Sequence, residues 1–118
     1  MKKENIIAVK SFQFALRIIK ITRAIQEEKK EYVLSKQLLK SGTSIGAMVK
    51  AAEHAESKKD FIHKMSIGLK EANETDYWVE LLHESDYITK EKYTEIKDEI
   101  IQIIRPLASI VKSSKMKK

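Results

Sequence analysis

The sequence contains no cysteine, only one proline and only three glycines among 118 residues. Because cysteine is absent, the chain can form no disulfide, no thiolate metal site and no cysteine nucleophile. An all-β fold needs many turns built from Gly and Pro, so the scarcity of both residues argues against a β-sandwich or a β-barrel. We therefore expect helices to dominate the fold.

Long apolar runs are also missing from the sequence. No stretch approaches the ~18 consecutive apolar residues of a transmembrane helix. The apolar run that begins at Ile6 ends at Lys10, which is too early for the apolar core of a secretion signal. We therefore expect a cytoplasmic protein that does not associate with a membrane.

Apolar residues recur at helical spacing in four segments of the chain. These segments are residues 5–25, 33–53, 58–85 and 90–112. The connections between them are short and polar, which makes sequential helices antiparallel neighbours. Ser57 and Thr89 are candidate N-cap residues for the third and fourth helices. The sequence therefore predicts an all-α protein, an antiparallel up-down-up-down four-helix bundle in a single domain of residues 1–118, with a basic tail over residues 113–118.

The first and fourth helices carry more apolar surface than one core-facing stripe requires. On a helical wheel, each has a second apolar set beside or opposite the stripe that faces the core. A second subunit would cover this surface, and the predicted oligomer-interface residues are Phe12, Leu16, Ile19, Ile101 and Ile104. The alternative is a broad core that wraps these side chains within one chain.

Basic residues outnumber acidic ones, giving a net charge of +6. Residues 1–30 hold eight basic and three acidic side chains. Such a surface can bind the phosphate backbone of RNA or DNA without sequence preference. The candidate nucleic-acid-binding residues are Lys10, Arg17, Lys20 and Arg23. No aromatic residues alternate with them, so base stacking is not supported, and a solvated basic face is the alternative interpretation.

Two acid–histidine pairs have the spacing found in di-iron bundles, Glu80 with His83 and, more loosely, Asp60 with His63. A carboxylate-bridged metal site needs such pairs on two facing helices. Here both pairs lie on the predicted third helix, so we interpret them as residues of a solvated helix face. The sequence predicts no catalytic residues, no metal site and no cofactor, and hence a protein that is not an enzyme.

A run of small residues extends from Ser41 to Ala47 in the second helix. It resembles a phosphate-binding loop only faintly, because the residue order is wrong and no strand precedes it. Gly42 and Gly46 each weaken helix propensity by about 1 kcal/mol relative to alanine. We therefore expect this run to let another helix approach closely.

Three linked segments of the chain resemble a known family of bacterial four-helix-bundle proteins, which are encoded in intervening sequences of 23S ribosomal RNA genes. The segments are LLKSGTSIGA at 38–47, AESKKDFIHK at 55–64 and KEANETDYWVELL at 70–82. Phe12 and Ala15 fit the first helix of the family. The resemblance extends over nearly the whole chain.

The resemblance implies a cytoplasmic, non-enzymatic antiparallel bundle. Relatives assemble as homopentamers, among them the accessory variability determinant of diversity-generating retroelements, a basic barrel that binds nucleic acid and a reverse transcriptase. The chain is thus expected to be a homopentameric structural or interaction module, with a protein partner possible. The alternative is a nucleic-acid-binding accessory protein for an RNA-related or reverse-transcriptase partner. For most of the family the molecular role is undefined.

The chain departs from the family pattern at four positions. Met48 and Ala51 stand where Asn and Glu are usual, and Gly68 and Val79 stand where Ala and Leu are usual. The smaller core side chains predict a stability cost of about 1–3 kcal/mol unless neighbours repack.

Overall fold

A computed structural model describes residues 3–116, with the side chains of residues 5–116. It contains four helices, which are α1 (Lys3–Lys29), α2 (Val33–Ala52), α3 (Lys58–Glu84) and α4 (Lys90–Met116). Each helix packs against the next, and α4 also packs against α1, so that α1 and α3 occupy diagonal corners of the described bundle. The predicted antiparallel four-helix bundle is confirmed.

Two helices extend beyond their predicted ends. α1 continues to Lys29 rather than residue 25, and α4 continues to Met116 rather than residue 112. The added residues are mostly polar and lie past the last core position, so the apolar pattern could not predict them. Lys29 and Lys115 in the last turns interact favourably with the negative end of the helix dipole. Of the predicted basic tail, residues 113–116 are helical and residues 117–118 lie outside the described residues.

Side chains at the helix starts satisfy backbone N–H groups that have no partner within the helix. The Ser57 hydroxyl accepts a hydrogen bond from the Asp60 amide at 3.0 Å, and the Thr89 hydroxyl accepts one from the Lys92 amide at 3.2 Å. Both predicted caps are therefore confirmed.

The corner between α1 and α2 is held by Glu31, which the sequence analysis did not identify. Its carboxylate accepts hydrogen bonds from the first three backbone N–H groups of α2, at 2.8–3.1 Å. The preceding residue, Lys30, turns the chain with a φ of 56° in the left-handed region. One carboxylate thus fixes the direction in which α2 leaves the corner.

The core runs the length of the bundle and contains one buried polar contact between helices. The largest fully buried side chains come from all four helices and include Phe14, Ile18, Leu38, Met65, Leu82 and Leu107. In their midst, the hydroxyls of Ser41 and Thr75 lie 3.0 Å apart and link α2 to α3. Each hydroxyl also lies within hydrogen-bond distance of a backbone carbonyl of its own helix, so neither polar group is buried without a partner.

The small-residue run of α2 meets α1 at close range. A methyl group added at Gly42 would lie 2.9 Å from Ile18 Cγ2, and one added at Gly46 would lie 3.3 Å from the backbone oxygen of Ser11. The predicted close approach of another helix is confirmed, and that helix is α1. At Gly68 an added methyl would meet Met48 Cβ at 3.6 Å, which is an ordinary contact distance.

Candidate interaction surface

The outer side of α1 leaves large apolar side chains uncovered. Phe12 is 65% exposed and Leu16 is 48% exposed, and Ile6 and Val9 extend the same exposed surface toward the start of the helix. Large apolar side chains that cluster on a surface mark interaction sites in soluble proteins. This surface is therefore the first candidate site.

Phe12 and Leu16 border an open groove between α1 and α2, with a volume of about 480 Å³. We call it the α1–α2 groove, and its lining residues are Ala8, Phe12, Ala15, Leu16 and Ile19 of α1, and Thr43, Gly46, Ala47, Lys50 and Glu53 of α2. The groove exists because small residues line it where the two helices meet, while the larger side chains stand at its edge. Lys50 and Glu53 form an exposed ion pair at one end, with 3.8 Å between Nζ and Oε2.

The five predicted interface residues do not form one surface. Phe12, Leu16 and Ile19 lie together in the α1–α2 groove. Ile101 and Ile104 are half-buried and pack against the core of their own chain. The second apolar set of α1 is thus uncovered. Much of the second apolar set of α4 is instead covered by its own chain, which agrees with the alternative of a broad core.

Helical spacing explains why the two isoleucines of α4 are covered. Tyr93, Lys97, Ile101 and Ile104 follow one another at steps of four, four and three residues along one flank of α4. Tyr93 stacks on His83 of α3 and Lys97 bonds to acidic residues of α3. This flank therefore faces α3, on the side of the bundle opposite the α1–α2 groove.

The four predicted nucleic-acid-binding residues separate into two pairs, of which the first faces α4. Lys10 donates a hydrogen bond to the Gln102 side chain at 3.0 Å. Arg17 Nη2 lies 2.9 Å from a carboxylate oxygen of Glu95, and Arg17 Nε lies 2.5 Å from one of Glu99 without the alignment of a hydrogen bond. These two basic side chains are already engaged within the chain.

Lys20 and Arg23 form the second pair and point to solvent. Both are exposed, and neither makes an ion pair within the described part of the chain. They follow Phe12 and Leu16 along the outer side of α1. The outer side of α1 is therefore apolar in its first half and basic in its second half.

The pKa of one carboxyl group between α1 and α4, that of Glu99, is raised above its usual value. Burial raises the pKa of Glu99, and the nearby Glu95 carboxylate raises it further, while the Arg17 guanidinium opposes both effects. The α1–α4 contact is thus a polar, partly solvated seam rather than an extension of the apolar core.

Three of the four residues in the acid–histidine pairs singled out in the sequence, Glu80, His83 and Asp60, make structural contacts, whereas His63 is exposed. Glu80 bonds to Lys97 at 2.9 Å, and the ring centroid of His83 lies 4.1 Å from that of Tyr93. Asp60 accepts a hydrogen bond from Lys64 at 2.6 Å, which lowers the pKa of Asp60. Among residues whose side chains are described, no group of three or more His, Cys, Asp or Glu is placed to hold a metal ion.

Lys97 is the centre of an ion-pair network between α3 and α4. Its Nζ lies 2.6 Å from Asp76 and 2.9 Å from Glu80. Burial alone would lower the pKa of Lys97, but the hydrogen bonds to both carboxylates raise it above its usual range. These residues hold α4 against α3 and leave little free charge on that flank.

The α2 half of the groove was missed by sequence reasoning. Gly46 and Ala47 belong to the small-residue run that predicted close packing, and that run also shapes an open surface beside the contact. The small-residue run was visible in the sequence. Which of its residues face outward depends on how α2 packs against α1, and the sequence does not show this.

Comparison with known proteins places the chain in a structural context. The model of the 23S rRNA-intervening sequence protein family matches residues 3–109. The chain is also similar to a crystal structure of a protein of unknown function from the S23 ribosomal protein family of Bacteroides thetaiotaomicron, with 50% sequence identity and a TM-score of 0.92. That match covers 94% of this chain and 99% of the other chain. No curated protein gave a match.

The family resemblance predicted from the sequence is confirmed by these matches. Within residues 3–116, no helix is both long enough and apolar enough to span a bilayer.

Proposed function

The chain belongs to the 23S rRNA-intervening sequence protein family, and from this premise we propose that it is a non-enzymatic, homo-oligomeric interaction module. The observation that carries the proposal is the α1–α2 groove, where Phe12 and Leu16 are exposed beside a surface lined by small residues. Burying apolar surface is favourable by roughly 25 cal/mol per Å². A second copy that covered the groove would gain this free energy.

The titratable side chains support a module without catalysis. Lys97 pairs with both Asp76 and Glu80, and Lys64 pairs with Asp60. Side chains held in this way stabilise the bundle, and their polar atoms are occupied by partners within the chain. The proposed number of copies is five, which rests on the resemblance to pentameric relatives, and the proposed location is the cytoplasm.

The mass of the assembly in solution tests self-association directly. Light scattering of the wild-type chain at micromolar concentration is expected to give a multiple of 13.6 kDa, and a pentamer would have five copies. Phe12→Asp combined with Leu16→Asp is expected to lower the mass to that of a monomer, because two carboxylates would have to be buried.

A matched control comes from exposed apolar residues elsewhere in the chain. Val33 is 73% exposed and Tyr32 is 54% exposed, and both lie at the α1–α2 corner, away from the lining of the groove. Val33→Asp with Tyr32→Asp adds the same charge and is expected to leave the mass unchanged. A monomeric wild-type protein would refute the proposal, and so would equal loss of assembly in both double variants.

Binding of a nucleic-acid backbone is a second candidate function, favoured by the exposed pair Lys20 and Arg23 on α1. The net charge of +6 supports attraction to a polyanion. In this role the protein would serve an RNA-related or reverse-transcriptase partner. Lys10 and Arg17 contribute less, because α4 side chains already bind them.

Titration of duplex RNA and DNA at several salt concentrations tests this second candidate. Lys20→Glu with Arg23→Glu is expected to weaken binding at least tenfold and to flatten its dependence on salt, because two phosphate contacts would be lost. Lys36→Glu with Lys59→Glu makes the same charge change at exposed positions on α2 and α3. Binding that responds equally to both double variants would contradict a specific role for α1.

A further inference from the structure

The contact between α1 and α4 differs from the other three contacts between neighbouring helices. Short connections join α1 to α2, α2 to α3 and α3 to α4, whereas α1 and α4 are the first and last helices of the chain. Within residues 3–116, the contact between α1 and α4 is also the least extensive of the four. We call it the closing seam, because it turns a row of four helices into a closed bundle.

Polar side chains that are partly open to solvent hold the closing seam. Arg17 pairs with Glu95 and Glu99, and we call these three residues the latch. Beside the latch, Lys10 donates a hydrogen bond to the Gln102 side chain. The side chains of Arg17 and Glu95 are 36% and 52% exposed. Ion pairs this exposed contribute little net stability, because water competes for both charges.

A cavity of about 260 Å³ lies in the closing seam and reaches the core. Phe14 of α1 and Ile103 of α4 both line it, although each side chain is only 1% exposed. The remaining lining residues are the polar side chains of Lys10, Gln13, Glu99 and Gln102. Side chains that border a cavity lose dispersion contacts on that side. The core is therefore less well supported here than where helices touch directly.

Helix α4 lacks one backbone hydrogen bond on the flank that faces the seam. Glu95, Glu99, Gln102 and Pro106 follow one another at steps of four, three and four residues, so Pro106 lies on the α1 side of α4. Because proline has no backbone N–H, residue 106 gives no hydrogen bond to the carbonyl oxygen of Gln102. Helices bend most easily at such positions.

The other three seams have contacts that resist separation. Between α1 and α2, Gly42 lies in close contact with Ile18. Between α2 and α3, the hydroxyls of Ser41 and Thr75 lie 3.0 Å apart in the core. Between α3 and α4, Lys97 pairs with two carboxylates of α3. Separation of two neighbouring helices is therefore expected to cost least at the closing seam.

We propose that the bundle opens reversibly at the closing seam, and that the latch controls this opening. In the open form α1 stays with α2 and α4 stays with α3, so the α1–α2 groove keeps its shape while Phe14 and Ile103 become accessible. Such partial openings of the native state need less free energy than global unfolding. The inference does not depend on the self-association proposed above, since it concerns contacts within one chain.

The absence of cysteine from the chain allows thiol labelling to report the opening. Ile103→Cys and Ile45→Cys make the same substitution at two fully buried positions, the first in the cavity of the closing seam and the second on α2 outside it. Each variant is treated under native conditions with an aromatic disulfide reagent too large to enter the cavity. Its labelling rate is then compared with the rate that its own free energy of unfolding allows.

Ile103→Cys is expected to be labelled faster than global unfolding allows, by roughly tenfold or more. Ile45→Cys is expected to be labelled at the rate set by global unfolding. Phe14→Cys on the opposite wall of the cavity is a second reporter, and replaces Ile103→Cys if that variant loses the helical circular dichroism of the wild type. Labelling of the seam reporters only at the rate of global unfolding would overturn the proposal, and so would equally fast labelling of Ile45→Cys.

A pair of arginine substitutions in the Ile103→Cys background tests the latch. Arg17→Gln removes its positive charge and is expected to speed labelling about two- to fivefold. Arg23→Gln removes the same charge from an exposed position of α1 that makes no ion pair within the described residues, and is expected to leave the rate unchanged. An equal response to both substitutions would refute control by the latch.

Light scattering of the same samples keeps this test separate from that of the proposed function. Fast labelling of the seam reporters in a monomeric protein would support the opening and refute self-association. Labelling limited to global unfolding in an assembled protein would refute the opening and leave self-association standing.

Discussion

The two seams on either side of α1 are built from different kinds of residue. Toward α2, Gly42 brings the helices together against Ile18, and the outer edge of the contact is apolar. Toward α4, Arg17 meets two glutamates across a partly solvated seam. One helix thus uses its charges on one flank and leaves apolar surface free on the other, so a partner that binds α1 through apolar contacts has to approach from the α2 side.

The largest effect is expected from Gly42→Ala, which disturbs the closely packed seam between α1 and α2. The added methyl would lie 2.9 Å from Ile18 Cγ2, and Ile18 is fully buried and branched at Cβ, so it cannot move aside easily. Thermal or urea denaturation is expected to show a loss of about 1–3 kcal/mol in the free energy of unfolding. Unchanged stability would mean that the α1–α2 seam is looser than its geometry indicates.

Gly68→Ala tests whether close packing at glycine is confined to the α1–α2 seam. At this buried position between α2 and α3, an added methyl meets Met48 Cβ at 3.6 Å, so no atom has to shift. Alanine is the better helix former by about 0.5–1 kcal/mol, and the denaturation midpoint is expected to rise accordingly. A loss of stability comparable to that of Gly42→Ala would show that both seams are equally tight.

The smallest expected effect concerns the polar seam and its dependence on pH. Burial raises the pKa of Glu99. At a pH between the pKa of this carboxyl in the unfolded chain and its higher pKa in the folded chain, folding is therefore accompanied by the uptake of a proton. Its contribution to stability therefore falls as the pH rises through that interval. Glu99→Gln removes this contribution.

The measurement compares the free energy of unfolding of wild type and Glu99→Gln at about pH 4 and about pH 7. The difference, wild type minus variant, is expected to be larger at the lower pH by a few tenths of a kcal/mol, because solvent screens the partly exposed seam. A difference that grows with pH instead would contradict the assignment of burial as the dominant influence on Glu99.

Much of the fold could be predicted because local signals and the apolar pattern agree. Ser57 and Thr89 begin helices where their hydroxyls cap backbone amides. The ends of α1 and α4 were placed too early, because polar residues continue a helix without continuing the apolar stripe. The start of α2 gave no recognisable cap, since Glu31 acts from two residues before the helix.

The candidate surface could be predicted only in part, because a helical wheel does not say which neighbour covers each flank. Phe12 and Ile101 looked alike in the sequence, yet Ile101 packs against the core while Phe12 is exposed. Arg17 looked free, yet its partner Glu95 lies 78 residues away along the chain. Such long-range pairs arise from the arrangement of the four helices and leave no local pattern.

The capped corner at Glu31 has a kinetic consequence for any molecule that binds the groove. Because the close contact of Gly42 with Ile18 holds α2 against α1 and the Glu31 corner fixes the start of α2, the cleft between the two helices is preformed, and little conformational freedom is lost on encounter. Recognition then proceeds at the ordinary rate of rigid docking, about 10⁵–10⁷ M⁻¹s⁻¹. Changes to the lining would accordingly alter how long a complex lasts rather than how fast it forms.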